Sequence, residues 1–138
     1  MKKQRILGTT AEKIKEAEGQ LNKILPADFS EWLINNNGKD INGITVFPVF
    51  DSRDPRKTWN SIVKNYQEAW QEWLENFADS EKDFSNLLPF AEFGTGDYYC
   101  FNYEYHKENP EIVLWSHETG EIKKMFSSFT EFLSGRQS

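Results

Sequence analysis

The sequence has few of the residues that build metal sites and disulfide frameworks. It contains one cysteine, Cys100, and two histidines, His106 and His117. A single cysteine cannot form an internal disulfide, and these three side chains cannot supply the four ligands of a structural zinc site. We therefore predict no disulfide framework, no structural metal and no cofactor.

Long apolar runs are also lacking. No stretch approaches the roughly 18 to 20 apolar residues that a membrane-spanning helix needs. Met1–Gly8 is basic but has no apolar core of the kind found in signal peptides. We therefore predict a cytoplasmic protein. Aromatic residues make up 15% of the 138 residues, and such side chains can bury large areas, so we expect one folded domain over residues 1–138.

Positive charge is scarce in the middle of the chain. The net charge is −6, and residues 67–83 carry six acidic side chains against one basic side chain. Residues 84–117 carry five acidic side chains against one basic. Phosphate backbones repel a surface of this kind. We therefore expect no direct binding of nucleic acid, and the charge favours a basic protein partner.

Two helices are predicted in the first forty residues. Thr9 and Glu12 have the spacing of a capping box, which predicts that Thr9 is the N-cap of the first helix. Apolar residues at helical spacing follow: Ile14, Ala17, Leu21 and Leu25. Pro26 suits the first turn of a second helix, which we expect to end near Asn36, before Gly38.

The strongest periodicity in the sequence lies between Asp54 and Phe77. Its apolar residues follow steps of three and four: Trp59, Ile62, Val63, Tyr66, Trp70, Trp73, Leu74 and Phe77. This pattern predicts one long amphipathic helix that lies against a sheet.

The rest of the chain predicts strands and one more helix. An edge strand or extended segment is expected at Ile44–Phe50, and strands are expected at Leu87–Phe90, Tyr98–Tyr105, Ile112–Trp115 and Ile122–Phe126. Ser128 and Glu131 repeat the capping-box spacing, which predicts a short C-terminal helix that ends at Gly135 and packs on the central helix. We predict an α+β fold with an antiparallel sheet of about four to six strands.

The segment Gly94-Thr95-Gly96-Asp97 predicts a tight turn. Its glycines allow positive φ, and aspartate tolerates turn conformations. A phosphate-binding loop would open a helix and carry a lysine, whereas aromatic strand residues follow here. The pattern favours a structural turn that presents Asp97 to a partner. The surroundings of Cys100 favour a small buried hydrophobe, and those of His106 and His117 favour exposed or capping histidines.

The acidic residues of the predicted central helix allow two interpretations. Glu68, Glu72, Glu75 and Asp79 step by four, three and four, which would place them on one face, away from the apolar stripe. They are either a solvated face or a surface that meets a basic partner. A metal site is disfavoured, because a linear helix face does not enclose an ion.

Several short motifs, in order, resemble the SUKH superfamily, the fold of bacterial immunity proteins and of fungal cell-wall-synthesis regulators of the Smi/Knr type. The resemblance extends from Thr10 to Leu133. The motifs are Leu25-Pro26-Ala27-Asp28-Phe29, Trp32-Leu33, Asn37-Gly38, Leu88-Pro89-Phe90, Gly94-Thr95-Gly96-Asp97-Tyr98-Tyr99, Val113-Leu114-Trp115-Ser116-His117, and Phe129 with Phe132-Leu133.

The resemblance implies a non-enzymatic protein that binds and neutralises a toxin, often a nuclease, encoded beside it. A scaffold or regulatory binding module of the same fold is the alternative, and an enzyme is a more distant one. No catalytic residue is implied. The residues predicted to bind the partner are the carboxylates of Glu68, Glu72, Glu75, Asp79, Glu92 and Asp97, with Tyr98 and Tyr105 as aromatic anchors if exposed.

Overall fold

The computed structural model describes residues 8–41, 43–94 and 96–137. The helices and strands, in chain order, are α1 (Ala11–Leu21), α2 (Ala27–Asn36), β1 (Thr45–Val46), α3 (Pro55–Thr58), α4 (Ile62–Gln67), α5 (Ala69–Glu75), β2 (Leu87–Phe93), β3 (Asp97–Asn102), β4 (Glu111–Trp115), β5 (Ile122–Phe126) and α6 (Phe129–Gln137). The prediction for Met1–Gly8 falls on residues that lie outside these ranges, except for Gly8. Thr95 of the predicted turn also lies outside them.

All five strands form one antiparallel sheet whose order follows the chain, from β1 at one edge to β5 at the other. This sheet, together with the helices, confirms the predicted α+β class and the predicted number of strands. β1 is only two residues long, and residues 47–50 continue without regular structure. None of the helices within the described ranges has the length and hydrophobicity needed to cross a membrane.

Helices cover both faces of the sheet. Successive side chains of a strand point to opposite sides, so each face presents its own side chains to the helices that cover it. Tyr98 of β3 points to one face, where Trp70 of α5 lies at a ring-centroid distance of 5.9 Å. Phe101 points to the opposite face, where Phe29 of α2 lies 5.2 Å away. β3 is therefore buried on both sides, which explains why its residues 98–101 form a continuous apolar and aromatic run instead of alternating with polar residues.

The predicted continuous helix from Asp54 to Phe77 is wrong. The segment forms three short helices, α3, α4 and α5, with breaks at residues 59–61 and at Glu68. Ser61 is the N-cap of α4, and its hydroxyl accepts a hydrogen bond from the Lys64 N–H at 3.0 Å. Such a cap satisfies an N–H group that a continuing helix would have bonded, and it therefore favours a new start. The apolar periodicity is shared among separate helices.

The first break changes the environment of Trp59, which was predicted to face the sheet. Its side chain is 61% exposed. The Ile62 N–H donates to the Pro48 carbonyl at 2.8 Å, which ties the start of α4 to the extended segment after β1. Only from this point does the apolar stripe turn inward, so that Ile62 and Trp70 are buried.

The C-terminal helix does not pack on the central helices as predicted; it packs on α2 and on the sheet beside β4 and β5. Asp28 of α2 joins the two helices, since its Oδ2 accepts the Thr130 N–H at 2.9 Å and the Thr130 hydroxyl at 3.0 Å. The helix also runs through Gly135, its predicted end. A Cβ at Gly135 would lie 2.7 Å from the Phe126 ring. This glycine therefore permits close packing and does not end the helix.

A buried carboxylate, Asp51, connects the start of α1 to the loop before α3. The N-cap of α1 is Thr10 and not Thr9 as predicted. The Thr9 hydroxyl donates instead to Asp51 Oδ2 at 2.9 Å. Arg53 donates its backbone N–H to Asp51 Oδ1 at 2.9 Å, and its Nη2 lies 2.7 Å from Oδ2. The hydrogen bonds from the Arg53 side chain hold the pKa of Asp51 well below its usual value.

The outer strand β5 is mostly exposed. Lys123 and Lys124 point to opposite faces of the strand, and both are solvent-exposed. Lys124 Nζ lies 3.5 Å from Glu111 Oε2 of β4. Only the end of β5, at Met125 and Phe126, is partly covered.

Candidate functional site

The turn before β3 joins three parts of the fold through Asp97. Asp97 Oδ1 accepts the backbone N–H of His117 at 3.1 Å and lies 2.7 Å from His117 Nδ1. The Trp73 ring of α5 lies 5.2 Å from the His117 ring, and Trp73 Nε1 donates to the Tyr98 hydroxyl at 3.2 Å. Asp97 is therefore engaged within the molecule, although 34% of its side chain remains exposed.

Gly96 is required at this turn. Its φ is +127°, and a Cβ there would lie 3.1 Å from Trp73 Cζ2 and 3.3 Å from the His117 ring. We expect Gly96→Val to lower the free energy of unfolding by about 1–3 kcal/mol, because a β-branched residue is strained at this φ and crowds both rings. Urea denaturation measures this difference.

Gly94 provides the matched control for Gly96→Val. Its φ is +68°, and no atom lies within 4 Å of the position that its Cβ would occupy. Asparagine tolerates this left-handed conformation, so Gly94→Asn should change the stability little. An unchanged denaturation midpoint for Gly96→Val would contradict the assigned role of Gly96.

The acidic residues predicted to share a helix face are all exposed, but they do not belong to one helix. Glu72 and Glu75 lie on α5, and Glu68 is the residue at which α4 ends and α5 begins. Asp79 lies in the turn after α5, so the prediction of a continuous helix face is wrong for it. We call Glu68, Glu72 and Glu75 the acidic stripe. Lys82, the one basic residue of residues 67–83, donates Nζ to the Thr119 carbonyl at 2.6 Å.

Trp73 links α5, the helix that carries Glu72 and Glu75, to the turn that carries Asp97. Trp73 stands between Glu72 and Glu75 in α5, and its ring reaches the backbone of the turn. Glu92, which is half-buried, pairs across the sheet with Tyr98, the residue after Asp97. The structure thus brings α5, Glu92 and Asp97 to the same end of the sheet.

The two predicted aromatic anchors are not both available. Tyr98 is 2% exposed, and burial raises the pKa of its hydroxyl, so Tyr98 does not meet the condition of exposure under which it was predicted to be an anchor. Trp70 and Trp73 cover Tyr98. Tyr105 is 71% exposed, but it follows the end of β3 opposite to Asp97. Tyr105 therefore lies away from the acidic stripe.

A groove between α1, residues 49–50 and α4 contains two aromatic residues that the sequence did not identify as functional. Its volume is about 340 Å³, and its lining includes Phe50, Trp59, Lys64 and Glu68. Phe50 is 42% exposed and Trp59 is 61% exposed. The sequence signal that could have identified Trp59 is Ser61, a residue type favoured at helix N-caps. A helix that begins after Ser61 does not include Trp59 in its apolar stripe.

Cys100 has the environment of a packing residue. It is buried, and burial raises the pKa of its thiol, which disfavours the nucleophilic thiolate. The interpretation of Cys100 as a small buried hydrophobe is confirmed. Within the described part of the chain, no three His, Cys, Asp or Glu side chains are grouped so as to hold a metal ion.

The chain matches the sequence profile of a known family. The sequence profile of the SMI1 / KNR4 family (SUKH-1) matches residues 8–135. The matched range contains the segment Thr10–Leu133 on which the resemblance was based, together with the acidic stripe and the groove. The comparison with curated proteins found no match.

Proposed function

Because the chain belongs to the SMI1 / KNR4 family (SUKH-1), we propose that it is an immunity protein that binds and neutralises a toxin encoded beside it. Membership of this family is consistent with toxin immunity and with the binding of toxin partners. The protein acts in the cytoplasm as a non-enzymatic inhibitor. The toxin is a basic nuclease domain.

The acidic stripe is the observation that carries the proposal. Its three carboxylates are exposed, and Glu92 and Asp97 lie at the same end of the sheet. A nuclease presents a basic groove to the phosphates of its substrate. Carboxylates placed where those phosphates would lie can cover the groove and exclude the substrate.

Growth rescue tests this function directly. The adjacent toxin domain is expressed from an inducible promoter, with or without this protein, in a host that the toxin kills. We expect growth only when the protein is present, and co-purification of the two chains. Failure of both rescue and co-purification would overturn the immunity function and favour a regulatory binding module of the same fold.

Charge reversal of the acidic stripe should slow association with the toxin. We expect the variant Glu68→Lys, Glu72→Lys, Glu75→Lys to associate at least about tenfold more slowly at low salt, because the stripe steers the encounter. Raising the ionic strength from about 0.05 to 0.5 M shortens the Debye length to about a third and should remove most of this difference. Binding kinetics on a surface carrying an inactive toxin variant measure both effects.

A second triple variant controls for total charge. Glu31, Glu104 and Glu131 are exposed and lie on or after α2, β3 and α6, away from the acidic stripe. Their reversal to lysine changes the net charge equally and should slow association much less. Equal, salt-independent association rates for all three proteins would mean that the toxin docks elsewhere.

A further inference from the structure

Two large aromatic side chains are exposed in one groove, beside the acidic stripe. Trp59 is the only one of the five tryptophans, all of which lie in the described ranges, whose side chain is mostly exposed. Phe50 is exposed on the same groove. Tryptophan is enriched among the residues that dominate binding energy at protein interfaces. An aromatic pair in a concave site is suited to hold a side chain of a partner.

The charges around the groove indicate which side chain it suits. Lys64 Nζ lies over the Trp59 ring, 4.7 Å from its centroid, so this indole face already attracts a cation. Glu68, the first residue of the acidic stripe, lines the same groove. On the α1 wall, Lys13 and Glu16 pair with each other at 3.7 Å. Each wall of the groove thus carries one lysine and one glutamate, and only Glu68 also belongs to the acidic stripe.

We propose that this groove receives an arginine side chain from the basic toxin. The inference rests on the proposed immunity function and deepens it by locating the anchor of the complex. The arginine stem lies along Phe50, and its guanidinium stacks on the Trp59 indole and pairs with the Glu68 carboxylate. A planar guanidinium can make both contacts at once.

An arginine fits the groove better than an apolar side chain does. An apolar side chain would desolvate the Glu68 carboxylate without offering it a partner. An arginine satisfies Glu68 and competes with Lys64 for the face of the indole. Lys64 therefore weakens the complex, because the incoming cation must displace it. The proposal therefore predicts that removal of the Lys64 charge slows dissociation, whereas a structural role for Lys64 predicts that dissociation becomes faster.

The test measures the dissociation rate of the complex between this protein and an inactive variant of the toxin domain that is encoded beside it. We expect Trp59→Ala to dissociate at least about tenfold faster, since it removes the stacking surface. Lys64→Met should dissociate about threefold more slowly, since it removes the competing cation. Lys123→Met on β5 controls for the lost charge, and Ile122→Ala controls for the lost exposed apolar side chain. Both controls should dissociate like the wild type.

Fluorescence quenching by acrylamide adds a measurement that needs no destabilising substitution. Trp59 should be quenched in the free protein and protected in the complex, and the difference between wild type and Trp59→Phe isolates its signal. Failure of the wild type to bind overturns the proposed function and the inference with it. A wild type that binds while Trp59→Ala dissociates at the wild-type rate, or while Trp59 stays quenchable, overturns the inference alone. Faster dissociation of Lys64→Met also overturns it.

Discussion

Replacing Trp115 with alanine is expected to lower the free energy of unfolding by about 3–5 kcal/mol. The Trp115 side chain of β4 has 0% exposure. Its ring contacts those of Trp70 at 4.9 Å, Phe77 at 5.7 Å and Phe84 at 5.9 Å between centroids. Removal of this ring leaves a cavity between α5 and the sheet that the surrounding rings cannot fill without leaving their own contacts.

The same substitution at Trp59 is the control for the loss of Trp115. Trp59 is 61% exposed, and its one ring contact with a cation is to Lys64. We expect Trp59→Ala to lower the stability by less than about 1 kcal/mol. Chemical denaturation of both variants, followed by circular dichroism, measures the comparison. A loss below about 1.5 kcal/mol for Trp115→Ala would contradict the central position of this ring.

Asp51→Asn is expected to lower the free energy of unfolding by about 2–4 kcal/mol at neutral pH. The substitution keeps the size of the side chain but removes the charge that accepts hydrogen bonds from Thr9 and Arg53. The NH2 group of asparagine replaces one carboxylate oxygen, and it cannot accept the hydrogen bonds that this oxygen accepted. Buried donors that lose an acceptor are expensive, because water does not replace it.

The free energy of unfolding that Asp51→Asn loses should depend on pH in a defined direction. The folded state lowers the pKa of Asp51, so its contribution to stability is complete above the usual aspartate pKa of about 3.9. That contribution declines as the pH falls below this value towards the folded pKa. The difference between wild type and Asp51→Asn should therefore be constant from about pH 5 to 7 and should narrow below about pH 4.

Arg53 supplies the control for Asp51→Asn. A double-mutant cycle with Arg53→Gln isolates the interaction of the two side chains from the backbone hydrogen bond, which both single variants retain in part. We expect a coupling energy of about 1 kcal/mol or more at pH 7 that shrinks at low pH. A difference between Asp51→Asn and the wild type that is independent of pH from 3 to 7 would show that the charge is not the stabilising feature.

Elements with local chemical signals could be predicted from the sequence. The end of α2 at Asn36 follows from Gly38, whose φ of +86° is a conformation that glycine adopts readily. β5 was predicted with the bounds that it has, Ile122–Phe126, since a polar glycine-containing connection precedes it and a helix cap follows it. The antiparallel sheet followed from such neighbouring strands.

The division of the central helix could not be predicted from periodicity. Steps of three and four continue across both breaks, because α4 and α5 each present apolar residues to the same core. What separates them from α3 is a cap at Ser61 and a long-range hydrogen bond from Ile62 to Pro48. This hydrogen bond depends on the path of the chain after β1, which local sequence patterns do not predict.

Only part of the candidate site could be predicted, because some of its features depend on tertiary packing. Exposure of Glu72 and Glu75 follows from their charge and from the apolar positions beside them. Burial of Tyr98 depends on coverage of β3 from both faces, and exposure of Trp59 depends on the helix break. The burial of Tyr98 therefore depended on the packing of distant segments, whereas the exposure of Trp59 had one local signal, the helix cap at Ser61.

The lysines of β5 bear on whether copies of this protein adhere to one another. The free edge of a sheet carries unpaired N–H and C=O groups that can template strand addition by a second chain. Lys123 and Lys124 place a charge on each face of β5, so two such edges brought together would oppose lysine to lysine. The other edge, β1, is only two residues long and offers little template. Both edges are thus poor templates for fibre formation and strand exchange. Under the proposed function, this leaves the acidic stripe accessible to the toxin.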